Sequence, residues 1–209
     1  MRKLQEILNA NGAQLVTDGI VGMKTLAALH LFVKANLEKR KWIMPKDGLV
    51  WIRTDKNLTN TFDDFVAVYK NSFPVMALPC STTAGDYYVF NPLTVGGITG
   101  TAIACEQQII GAHQFVTAAN WKFLWLNAPY FMQVLPITIY RDGNRNRLID
   151  SDIKTFGLYG INLHRGGVAA TINGWSAGCH IVQDAQWFEV CKLFTNGQRI
   201  DYTLFELPV

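Results

Sequence analysis

Little in this chain carries charge. Asp, Glu, Lys and Arg make up 17% of its 209 residues and sum to a formal +3, too weak an excess to mark a nucleic-acid-binding face, which gathers basic residues into one patch. The short run Glu38-Lys-Arg-Lys41 reads as a solvated helix end. Cysteine is sparse as well. Cys80, Cys105, Cys179 and Cys191 are spaced too irregularly for a zinc ligand set or a dense disulfide framework, so reduced thiols and no metal or cofactor are expected. No apolar run reaches the roughly 18 residues of a membrane span, and no internal repeat or nucleotide-binding glycine motif occurs. The amino terminus, Met1-Arg-Lys-Leu-Gln-Glu, turns polar at once, without the apolar core and small-residue cleavage site of a secretory signal. The expectation is synthesis in a cytoplasm with no membrane partner. What the chain does have is apolar content, 49%, enough to bury a core of ordinary domain size with a small appendage.

Residues 2–10 place Leu4, Ile7 and Leu8 on one helical face, with Asn11-Gly12 as a stop. A second helix is predicted from Thr25 onward through Leu26, Leu29, Phe32 and Val33. The turn Pro45-Lys-Asp-Gly48 then divides a helical unit, 1–45, from a mainly β unit, 46–209. Leu49-Val-Trp-Ile begins β structure, and two β-prone runs between Phe65 and Cys80, hinged at Asn71-Ser72, predict a hairpin; a short helix over 61–69 is the alternative. The turn formers Gly85, Pro92, Gly96, Gly97 and Gly100 predict a long loop from Thr82 to Cys105. Further strands are read over Gly111–Val116 and Phe131–Tyr140. Trp121, Phe123, Trp125, Tyr130 and Phe131 are crowded enough to be candidates for lining a cleft, although such crowding more often makes core. Asp142, Asn144, Asn146 and Asp150 have the spacing of a calcium loop, but Arg147 replaces its glycine and Ile153 its bidentate glutamate, so a polar connection is the reading. Trp187, Val190, Cys191 and Phe194 form a helix stripe that ends at Asn196-Gly197. Ile200, Tyr202 and Leu204 alternate in a closing strand.

The chemistry is expected between Gly160 and Val182. An apolar run ending in His164 reads as a strand delivering an imidazole to a rim, with Gly166 and Gly167 turning away. The run Asn173-Gly-Trp-Ser-Ala-Gly-Cys-His-Ile-Val182 then presents Cys179. Taken singly, a cysteine before Ile-Val is a small buried hydrophobe and a strand-end histidine is a hydrogen-bonded rim residue. Together they form a pair in which the imidazole takes the thiol proton and the thiolate attacks a carbonyl. The N–H groups of Gly178 and Cys179 are candidates for holding the oxyanion. Trp175, Arg165 and His180 flank the pair as candidate substrate-binding residues. On a strand His180 faces away from Cys179.

His164 followed by Ser176-Ala177-Gly178-Cys179 resembles the signature of the L,D-transpeptidase catalytic domain, in which a histidine precedes a Ser/Thr-x-Gly-Cys nucleophile loop on a β-rich fold. Upstream, Cys80-Ser-Thr-Thr-Ala-Gly85 resembles that family's strand ending in Ser-Thr-x-x-Gly. The likeness runs from about Val50 to the carboxyl terminus. It implies a β-sandwich or barrel with a helix after the nucleophile loop, Cys179 as nucleophile, His164 as base, Ser176 as an orienting residue, and bacterial peptidoglycan as partner. The family's arginine two residues after the cysteine is Ile181 here, and phage cell-wall lysis proteins with a similar domain are the nearer likeness. Leu4-Gln5, Asp18-Gly19-Ile20-Val21-Gly22, Thr25 and Ala28-Leu29 resemble a peptidoglycan-binding helical repeat over about 35 residues; two helices that merely cover a sheet are the alternative. The implied function is cleavage of a peptide bond in stem peptides or cross-links, endolysin-like, after release from the cytoplasm to the wall. Cross-link exchange, and a non-catalytic wall-binding or phage structural role, stay open.

Overall fold

A computed structural model describes residues 1–117, 128–151 and 153–208. In chain order its elements are α1 (Arg2–Ala10), α2 (Met23–Lys39), β1 (Gly48–Arg53), β2 (Asp64–Lys70), β3 (Phe73–Ser81), α3 (Asp86–Phe90), β4 (Thr94–Val95), β5 (Ile98–Thr99), β6 (Thr101–Ala104), β7 (Gln107–Val116), β8 (Tyr130–Gln133), β9 (Ile137–Asp142), β10 (Lys154–Gly157), β11 (Leu163–Arg165), β12 (His180–Val182), α4 (Asp184–Cys191) and β13 (Arg199–Glu206). Eight strands close a barrel in the order β1-β13-β7-β8-β11-β12-β3-β2, with β10-β9-β6 as a separate sheet and β4-β5 as a small ribbon. The fold is mainly β.

β1 shows why its sequence is continuously apolar. Leu49 and Trp51 face the barrel interior with Val66, Val68, Leu163, Val182, Tyr202 and Leu204. Val50 and Ile52 face outward into a second cluster with Phe65, Ala67, Tyr69 and Phe205, which α1 and α2 cover through Leu4, Leu8, Leu26, Leu29, Val33 and Leu37. Alternation along a strand buried on both sides leaves no polar position from Leu49 to Ile52. Residues 1–39 are thus joined to the barrel by a shared apolar layer. Gln5 ties the interhelical loop to α1, donating to Asp18 and accepting the Gly19 N–H at 2.7 Å.

The hairpin forms at the expected hinge. Asn71 and Ser72 both have positive φ, 51° and 63°, the left-handed pair that matches the twist of a two-residue β-hairpin. Residues 61–69 are extended into β2 instead of helical. The expected long loop from Thr82 to Cys105 is instead mostly ordered as α3, the β4-β5 ribbon and β6. Its glycines serve tight turns between these short pieces, and β6 is held by pairing with β9 from Thr101↔Asp142 to Ala104↔Ile139. The segment Phe131–Tyr140 divides at residues 134–136 between β8 in the barrel and β9 in the second sheet. In the 142–150 turn, Asn144 and Asn146 direct their amide nitrogens to the two oxygens of Asp150, at 2.9 and 2.6 Å. Trp121, Phe123 and Trp125 lie outside the described residues. Tyr130 and Phe131 are buried, Phe131 packing edge-on against Trp187 and Phe194.

Two neighbour pairs in this otherwise antiparallel barrel are parallel, β1 with β13 and β11 with β12. A parallel pair needs a crossover of about a dozen residues or more. Residues 166–179 make that crossover and end on Cys179.

Candidate active site

The parallel pair fixes which side chains share a face. Leu163 stands opposite His180 and His164 opposite Ile181. Leu163 and Val182 point into the barrel core, so by alternation His164, Ile181 and Cys179 lie on the other face. His164 Nδ1 is 2.6 Å from the Arg165 carbonyl oxygen. A carbonyl only accepts, so Nδ1 carries the hydrogen and Nε2 is the basic nitrogen of the neutral ring. Burial lowers the imidazole pKa to about 4, with the Arg165 charge adding to the effect.

Of the four cysteines only Cys179 is not buried. Its thiol donates to the Gly160 carbonyl at 3.3 Å, and the Asn162 N–H points at Sγ from 3.4 Å. Loss of hydration to the surrounding protein pushes its pKa up to about 11, against the lowering effect of the Asn162 N–H and its own backbone N–H. At neutral pH the resting pair is therefore thiol and neutral imidazole.

The nucleophile loop is held from beneath. Ser176 Oγ accepts the Gly178 N–H at 3.0 Å and has the carbonyls of Cys179 (2.8 Å) and Thr83 (3.1 Å) within reach of its own proton. The Gly85 N–H donates to the Ser176 carbonyl, which seats the Cys80–Gly85 segment directly under the loop. Asn60 Oδ1 accepts the N–H groups of both Asn173 and Asp86. Gly178 has φ +129°, and a Cβ there would run into the Ala102 carbonyl, so the loop lies backbone to backbone on β6.

Cys179 opens onto a cavity of about 70 Å³ shared with Tyr88, Leu93, Val95, Ala102, Arg141, Tyr159, Gly160, Ile161 and Ala177. A larger cavity of about 650 Å³ lies away from it, between the end of α2 and Glu106, Tyr140 and Lys154; the cysteine on its wall, Cys105, is buried.

Several expected site residues are used otherwise. His180 is fully buried inside the barrel, its Nε2 2.7 Å from the Tyr202 hydroxyl and its ring 4.9 Å from Trp51, so it cannot touch a substrate at the rim. The Gly178 N–H is taken by Ser176 and is not offered to an oxyanion, which leaves the Cys179 N–H of the two. Ser176 organises the loop through backbone groups, and no hydrogen bond joins it to His164 among the described residues. Arg165 is paired with Asp184 at 2.7 Å and stacks over Trp175 at 5.1 Å, so the two side chains brace the crossover against α4. Arg141, Tyr159, Gly160 and Asn162 were not singled out by the sequence. A signal for Arg141 existed: it continues the alternation of Ile137 and Ile139, whose side chains face the core.

No protein-family model matches this chain, and no curated protein is similar to it. Among solved structures, an L,D-transpeptidase (Yku) from Stackebrandtia nassauensis aligns over 98% of this chain and 89% of its own at 13% identity and TM-score 0.39. The L,D-transpeptidase (residues 123-326) from Xylanimonas cellulosilytica aligns over 98% and 92% at 15% identity and TM-score 0.32. At these values the likeness assigns a role to no residue.

Proposed function

We propose that this chain is a cysteine acyl transferase that cleaves a peptide bond in the stem peptides or cross-links of bacterial peptidoglycan. The observation that carries the reading is the placement of a partly exposed thiol at a cavity mouth, on the same face of a parallel strand pair as a histidine whose Nε2 is the basic nitrogen. The Sγ–H proton passes to His164 Nε2 as Sγ bonds to the carbonyl carbon; the C–N bond then breaks, and the amine leaves with the proton that His164 returns. Water resolves the acyl-enzyme and regenerates the thiol, whereas resolution by an amine would make the same centre exchange cross-links. The Cys179 N–H is the donor to the developing oxyanion. Because both groups start neutral, proton transfer accompanies attack and no resting ion pair is needed.

The helical segment serves as the wall-binding part. It surrounds a cavity of about 330 Å³ with Val16, Ile20 and Met23, three side chains that stay at least 69% exposed where packing would otherwise cover them. The deciding experiment is incubation of the protein with purified peptidoglycan and mass analysis of what is released. Peptide cleavage products from the native chain and none from Cys179→Ala are expected. Intact wall bound by both proteins would replace this reading with the non-catalytic one.

A further inference from the structure

Arg141 is 3% exposed and makes no ion pair or side-chain hydrogen bond among the described residues, its Nε being buried without an acceptor. Among the described residues its guanidinium is met by the Tyr159 ring, 4.8 Å away. Asp142, next in the chain, points to the opposite side of β9, where it accepts the Asn144 N–H. Burying an unpaired cation is unfavourable by several kcal/mol in general, and a cation–π contact of about 1–2 kcal/mol offsets only part of that. Among the described residues no anion offsets the rest.

The position is specific. β9 pairs with β6 so that Arg141 stands opposite Ala102, and Ala102 is the residue against which Gly178 packs. Arg141 and Ala102 therefore stand side by side in one sheet, the nucleophile loop packs on that sheet at Ala102, and Arg141 and Cys179 line one cavity. At about 70 Å³ it holds roughly two waters, which admits a carboxylate with a small substituent and excludes a sugar. Apart from Arg141 its wall is largely apolar, through Leu93, Val95 and Ile161.

We propose that this cavity is a carboxylate-binding site in which Arg141 receives a substrate carboxylate lying beside the carbonyl that Cys179 attacks. Guanidinium and carboxylate meet through two parallel hydrogen bonds, which fixes orientation as well as charge. The substrate class is a peptide with a free carboxylate next to the scissile bond. The proposal rests on the reading of Cys179 as nucleophile, and Arg141 is a binding residue in it.

The test compares alkylation of Cys179 by iodoacetate and by iodoacetamide, which differ in a carboxylate against a neutral amide, each rate normalised to glutathione and followed by mass spectrometry of the Cys179 peptide. In native protein the normalised acetate-to-amide ratio is expected to exceed that of the free thiol about tenfold and to return to the free-thiol value in Arg141→Met. An equal ratio in both proteins overturns the proposal. A second arm uses only native protein: N-acetylglycine should slow iodoacetamide labelling of Cys179 and N-acetylglycinamide should not, and equal protection overturns it even if the variant fails to fold. Labelling by neither reagent means the cavity admits no anion of this size, which also overturns it. A raised ratio in a protein that releases nothing from peptidoglycan would retain the carboxylate site and remove the peptidase reading.

Discussion

Arg53 and Arg141 are both buried arginines at strand ends, and their surroundings differ in every other respect. Arg53 donates to Thr82 Oγ1, the Thr82 and Ala104 carbonyls, and Glu206 at 2.7 Å; every nitrogen has an acceptor. Arg141 has an aromatic face and a cavity. The same division separates two histidines on neighbouring strands: His180 lies inside the barrel against Tyr202, whereas His164 lies on the face that also carries Cys179. Burial alone does not mark a functional group, because structural groups are buried too; what distinguishes Arg141 is that no acidic side chain pairs with it among the described residues, next to the open volume it shares with Cys179.

The sharpest test of that division is at the cysteine. Cys179→Ala should lower turnover of a soluble muropeptide by at least about 1,000-fold, His164→Ala should do nearly as much, and the double variant should add little, since nucleophile and base act as a unit. Melting temperature should change little in Cys179→Ala. Turnover that survives there would erase the distinction between the two regions. Next in size is Arg53→Met, expected to lose about 3–5 kcal/mol in urea unfolding because Glu206 is left half-buried without its partner. A smaller loss would mean the interior network is not what holds the barrel closed.

Acid probes both regions together. Burial lowers His113 and His164 to about 4 from an ordinary 6.5, and His180 well below it. Between pH 6.5 and 4 the unfolded chain binds protons that the folded chain refuses, so stability present above 6.5 is lost as pH falls. Asp63, Asp64 and Asp142, raised by burial, take up protons at higher pH in the folded chain than in the unfolded one and offset part of this. A net loss of about 2 kcal/mol by pH 4.5 is expected in urea midpoints; a flat profile would show that the histidines take protons without unfolding. The smallest effect is expected at Arg141→Met, within about 1 kcal/mol of the native chain, because removing an unpaired buried charge relieves as much as the lost contacts contribute. Destabilisation like that of Arg53→Met would place Arg141 among the structural residues.

Much of this could be read from local pattern. The apolar run Leu49–Ile52, the alternation in Ile200–Leu204, the Asn71-Ser72 hinge and the Trp187–Cys191 stripe are each patterns that one segment carries by itself. The proposed pair, His164 and Cys179, was named from residue types in a recognisable order; the strand register that sets them on one face was not in the sequence pattern. The use of Ser176 and the Gly178 N–H was not legible either, since a serine hydroxyl that can serve a histidine can equally serve the backbone two residues on. Nor was the order in Thr82–Cys105, where short pieces are stabilised by partners such as β9 that lie far along the chain. Arg141 shows the same limit most plainly, because the emptiness around it is made by β6, the nucleophile loop and Tyr159 converging from three separate stretches.

The parallel pairing of β1 with β13, in register from Gly48↔Asp201 to Arg53↔Glu206, sets the order of events during synthesis. β1 leaves the ribosome early with its β2-β3 hairpin, but its other edge has no neighbour until β13 is made, and the Arg53–Glu206 contact waits equally long. Strand pairs so distant in sequence form late. The barrel, and with it the cradle around Cys179, therefore closes only after β13 has been made. A nascent or carboxy-terminally shortened chain carries the thiol without the scaffold that aims it.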